Sequence, residues 1–125
     1  MTRPLAIAAA LAALALPAAA QERTPLTGAE LTALLSGNTE TWATLGAGYY
    51  DPGGAMAYVW EGKPGAGEWS VTEEGILCLR ITAWYGPDFN CGWTYFREGG
   101  EIYSLNLKTD KATRMPGYAP GKTFE

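Results

Sequence analysis

The sequence predicts a mainly β domain: a small antiparallel meander of about six strands, forming a sheet or barrel, with one N-terminal amphipathic helix. Three observations carry that reading. Apolar residues recur at helical spacing near residues 27–36, they alternate with polar ones beyond about residue 45, and Gly and Pro interrupt the alternating stretch at short, regular intervals. Six such strands with one helix suit a small barrel, or a curled sheet whose open side the helix covers.

The chain opens with an export signal. Arg3 supplies the positive n-region, Leu5 to Leu16 is an unbroken apolar run, and Pro17-Ala18-Ala19-Ala20 has the small-residue pattern of a cleavage site before Gln21. The apolar run falls short of the roughly 20 residues that span a bilayer, so no membrane anchor is expected after cleavage and the product is assigned to the periplasm or beyond. Residues 21–125 then form one domain with a single modest core.

Thr27 begins the clearest local signal. It can cap a helix, and Glu30, three residues on, can reach back to close a capping box, with Leu26 and Leu31 as the hydrophobic staple. Leu31, Leu34 and Leu35 give one apolar stripe, and Gly37-Asn38 supplies the stop. The strands are expected over roughly 47–108. Tyr49-Tyr50 runs into the turn Asp51-Pro52-Gly53-Gly54, after which Met56, Tyr58 and Trp60 share one strand face. Trp69 and Val71 follow the Gly62–Gly67 loop, then Leu77, Leu79 and Ile81 alternate with Cys78, Arg80 and Thr82. The chain reverses through Trp84-Tyr85-Gly86-Pro87-Asp88 into a strand bearing Cys91, Trp93 and Tyr95, and a last strand carries Tyr103, Leu105 and Leu107. From Thr109 onward, Pro116, Gly117, Pro120 and Gly121 predict an irregular tail.

The two cysteines, Cys78 and Cys91, stand in an exported chain and are expected to form a disulfide that fixes the register of a hairpin. Their spacing does not suit a Cys-x-x-Cys redox or metal site, and the chain has no histidine.

The order Tyr49-Tyr50-Asp51-Pro52-Gly53-Gly54, Trp60, Gly67-Glu68-Trp69-Ser70-Val71, Gly75-Ile76-Leu77-Cys78, Cys91 and Tyr95 follows Leu26-Thr27-Gly28-Ala29-Glu30-Leu31 and Leu35-Ser36-Gly37. Together these segments resemble a family of small exported Gram-negative bacterial proteins of unknown function with a lipocalin-like β domain. The resemblance implies an exported, disulfide-bearing β domain and brings no catalytic residue with it.

Charge narrows the partners. Once Arg3 leaves with the signal, nine basic residues become eight against thirteen acidic ones, about −5, with no Lys/Arg cluster; a nucleic-acid partner is therefore not expected. Without histidine, a Ser or Cys nucleophile lacks its usual base. The acidic residues Asp51, Glu61, Glu68, Glu73, Glu74, Asp88, Glu98 and Glu101 fall mostly in or beside turns, where they serve solubility and turn geometry. Asp88 and Asn90 do not make a dense calcium-type loop. No catalytic residue, metal or cofactor is assigned, and a monomeric, non-enzymatic protein is expected.

The remaining signal is aromatic. Trp60, Trp69 and Trp93, with Tyr58 and Tyr95, lie at alternating strand positions, while Trp84 and Tyr85 sit in a Gly-Pro loop next to the disulfide and are hard to bury, with Phe89 beside them on the same hairpin. These tryptophans, with Tyr85 and Phe89, are the candidate contact residues. Two roles follow: a binding module for a small apolar or aromatic ligand or a glycan, or an interaction, inhibitor or accessory module acting on another exported protein. With so few strands, large inward side chains are expected to fill the interior and leave a shallow surface site at best.

Overall fold

The computed structural model describes residues 22–125; the signal peptide expected over residues 1–20 lies outside the described residues. After a two-residue strand β1 (Thr24–Pro25), helix α1 (Gly28–Leu35) begins with the capping box: the Glu30 amide donates to Thr27 Oγ1 at 3.1 Å and the Thr27 amide to Glu30 Oε1 at 2.9 Å. Leu31 and Leu35 are fully buried, each such burial stabilising by about 1.5–3 kcal/mol. Gly37, at φ +76°, turns the chain and donates its amide to the Tyr50 carbonyl, which ends the helix against the sheet.

The strands that follow are β2 (Asn38–Trp42), β3 (Gly46–Tyr50), β4 (Ala55–Trp60), β5 (Lys63–Val71) and β6 (Leu77–Arg80). A one-turn helix α2 (Thr82–Tyr85) then leads to β7 (Asn90–Glu98), β8 (Glu101–Asn106), β9 (Lys111–Arg114) and β10 (Tyr118–Pro120). All neighbours pair antiparallel in the order β10-β2-β3-β4-β5-β6-β7-β8-β9, and β1 pairs with β7 beyond the end of β6.

Among the described residues, the expected six strands and one helix are thus corrected to ten strands and two short helices, and most of the loop expected over Gly62–Gly67 is strand, because Lys63–Gly67 pair with β4. β2 escaped notice because Asn38, Thr39, Glu40 and Thr41 carry no apolar alternation. The tail expected to be irregular supplies β9 and β10, since Tyr118, Ala119 and Pro120 pair with Glu40, Thr39 and Asn38.

The sheet curls into an open half-barrel. Its two edge strands, β9 and β10, are consecutive in the chain, and Met115, Pro116 and Gly117 between them can span at most about 14 Å. A seam joined by chain rather than by a hydrogen-bond ladder runs there, with the Met115 amide on the Ile102 carbonyl and the Thr41 amide on the Gly117 carbonyl. The two helices attend opposite ends. α1, Leu26, Met56 and Trp69 pack where β2 and β4 begin; α2 stands beyond the end of β6, beside Trp42 and Trp60 at the ends of β2 and β4.

Cys78 and Cys91 are bonded and lie opposite each other on β6 and β7, next to a register shift between Leu77 and Cys78. The disulfide therefore clamps the hairpin that carries α2.

A hollow aromatic site with a buried carboxylate

Between the helices the curled sheet forms an open-mouthed cavity of about 620 Å³, well within the range of small-molecule sites. The expectation of a filled interior is corrected. Large side chains do point inward, but two of them face glycine: Trp42 lies over Gly48 and Tyr58 over Gly65, where an added Cβ would sit 2.3 Å and 2.1 Å from the respective rings. The rings lie down against bare backbone instead of meeting across the barrel.

The apolar wall consists of Leu77 and Leu79 from β6, Trp60 from β4, Trp93 from β7, Trp42 from β2 and Met115 from the seam. Trp84 and Tyr85 of α2 border it, each 40% exposed. Trp84 is the hub of the aromatic rim: its ring centroid lies 4.5 Å from Tyr58, 6.0 Å from Trp60 and 6.1 Å from both Trp42 and Tyr85. Tyr85 in turn meets Trp93 at 5.9 Å. α2 has no side-chain N-cap; the Trp84 and Tyr85 amides both donate to the Ile81 carbonyl, and Ile81 is fully buried, so the helix is held by one anchored residue.

Polar chemistry enters at Glu40. It is 1% exposed, yet its carboxylate lines the cavity. Oε1 accepts from Trp42 Nε1 and from the Tyr50 hydroxyl, both at 2.9 Å. Oε2 accepts from the hydroxyls of Tyr95 at 2.7 Å and Tyr118 at 2.8 Å. The indole nitrogen can only donate, and a carboxylate offers about four lone-pair positions, so four donors saturate it. Burial first, and the adjacent Glu40 charge second, hold the hydroxyls of Tyr50 and Tyr95 well above the ordinary tyrosine pKa, and that of Tyr118 above it as well.

The candidate contact residues separate into three groups. Trp60, Trp84, Tyr85 and Trp93 come together around the cavity. Trp69 does not: it packs edge-on to Tyr50 at 5.4 Å and donates its indole N–H to the Asp51 carbonyl at 2.7 Å, a buried post near α1. Phe89, 41% exposed, lies under the Arg80 guanidinium at 4.8 Å and does not line the cavity; it borders an adjoining cleft of about 360 Å³ with Asp88, Asn90 and Lys108, to which Tyr85 and Trp93 also contribute. Trp42 and Glu40 were missed. The signal available for Glu40 was its position two residues before a tryptophan in a polar run, which places both on one strand face once that run is read as a strand.

Neither a curated protein nor a solved structure matches the chain. A family model does, over residues 3–103, and the chain belongs to that family, described as protein of unknown function (DUF995).

Proposed function

We propose that the protein is an exported, non-enzymatic binding module that takes a small ligand with an apolar or aromatic body into its cavity, in the manner of a small lipocalin-like β domain. One observation carries the reading: a cavity of about 620 Å³ walled mainly by tryptophan and aliphatic side chains behind a half-exposed aromatic rim. Burial of an apolar ligand there gains roughly 25 cal/mol per Å² of area removed from water. A glycan fits less well, because the carboxylate that would accept its hydroxyls is already saturated by four protein donors. Export rests on the signal-like residues 1–20, and the disulfide suits an oxidising compartment.

Native mass spectrometry of protein purified from the periplasm, before and after mild denaturation, tests this reading. A co-purifying small mass released on denaturation is expected, and tryptophan fluorescence of the stripped protein should respond when that compound is returned. A bare oxidised mass, with no fluorescence response to panels of apolar and aromatic compounds, would count against it.

Exposure of Trp84, Tyr85 and Phe89 along one disulfide-braced connection favours a second reading, a docking surface for another exported protein. A partner captured from periplasmic extract should then be lost when Trp84 and Tyr85 are both changed to Ala.

A further inference from the structure

The charge inside the cavity narrows the ligand class. Among the residues that line it, Glu40 is the one bearing a charge, and no Lys or Arg is among them. The ion pairs found among the described residues, Arg23–Glu98, Arg80–Glu68 and Arg114–Glu101, all lie elsewhere. Four neutral donors solvate the Glu40 carboxylate but do not cancel its charge. In a poorly polarisable interior an uncompensated charge acts over several ångströms. Around it, Trp42, Trp60, Trp84, Tyr85 and Trp93 contribute aromatic rings, whose faces carry negative potential and attract cations. Both features bias the cavity the same way: anions are rejected, and a cation is rewarded.

The type of cation follows from the saturated carboxylate. A primary ammonium brings three N–H donors that need acceptors, and Glu40 has none to spare. A fully alkylated ammonium has no N–H, is weakly hydrated, and asks only for aromatic faces and negative potential. We propose that the ligand carries a quaternary ammonium group, or an equally soft organic cation, set against the tryptophan wall near Glu40. The cavity is far larger than such a head group, so an apolar or aromatic body accompanies it. This inference rests on reading the cavity as a ligand site.

Titration calorimetry with two probes of the same shape separates the two ideas: para-hydroxyphenyltrimethylammonium and its uncharged carbon isostere, para-tert-butylphenol. The cation is expected to bind at least about tenfold more tightly than the phenol. Equal binding, or preference for the phenol, would overturn the cation assignment while leaving a ligand site in place. Binding of neither would overturn both.

Two variants locate the effect. Trp84→Leu keeps an apolar side chain at a 40% exposed position but removes the ring; it should weaken the cation relative to the phenol by about threefold to thirtyfold. An unchanged ratio would remove the aromatic half of the argument. Glu40→Gln should abolish the preference in protein shown by circular dichroism to be folded, and a preference that survives there would overturn the role of the charge. If that variant does not fold, Trp84→Leu and the probe pair still decide.

Discussion

At Glu40 four strands meet through single hydrogen bonds, from Trp42 on β2, Tyr50 on β3, Tyr95 on β7 and Tyr118 on β10. Removing one donor to a charged acceptor costs about 1.5–3 kcal/mol. Tyr118→Phe, at the least buried of the three tyrosines, should therefore lower the unfolding free energy by that amount, read in urea as a lower midpoint with an unchanged slope. The same cluster sets the alkaline limit. Unfolded tyrosine ionises near pH 10, whereas burial and the Glu40 charge keep Tyr50, Tyr95 and Tyr118 protonated above that. Below pH 10 both states hold these protons and stability is unaffected by them; above it the unfolded chain releases protons the native chain retains, so stability falls as pH rises. Tyrosinate absorbance from these residues should appear together with loss of the β circular-dichroism signal, and its appearance in the folded protein would contradict the cluster. None of this is legible locally, because Glu40 is 10, 55 and 78 residues from its three tyrosines and stands among polar neighbours.

Elements defined by neighbouring residues were readable in advance. The capping box needs only Thr27 and Glu30, three positions apart, and the disulfide needs only the two cysteines, Cys78 and Cys91, behind a signal-like N-terminus. Strands β4, β6, β7 and β8 announced themselves by alternation, and β5 did so only around Trp69 and Val71, whereas β2, β9, β10 and Lys63–Gly67 of β5 are strands because partners stand beside them, a property of the assembled sheet. The hollow interior was hidden for a related reason. Counting large inward side chains overlooks the glycines on the facing strand, and it is Gly48 and Gly65 that let Trp42 and Tyr58 lie flat. Gly48→Ala should drive Trp42 away from Gly48 and loosen its bond to Glu40, lowering stability by about 1–3 kcal/mol. Thermal melting checks the loss, and a changed near-ultraviolet tryptophan signal checks the cause.

For the whole molecule the seam between β9 and β10 is decisive, since the C-terminal residues finish the wall that encloses the cavity. Thr39 Oγ1 donates to the Gly121 carbonyl at 2.6 Å and accepts from the Thr123 amide at 3.2 Å, so the tail is fastened to β2 well past Tyr118. Truncation after Arg114 should strip β2 of its edge partner, leave Glu40 without Tyr118, and expose the cavity. A markedly lower melting temperature and enhanced binding of a hydrophobic dye are the expected outcomes, and an unchanged melt would show that the seam is dispensable. The same fastening governs the order of events during synthesis. β2 emerges long before β10, yet each completes the other, and the buried carboxylate obtains its fourth donor only when residue 118 arrives. A chain delivered N-terminus first therefore stays an unfinished sheet until residues 118–120 are free to pair with β2.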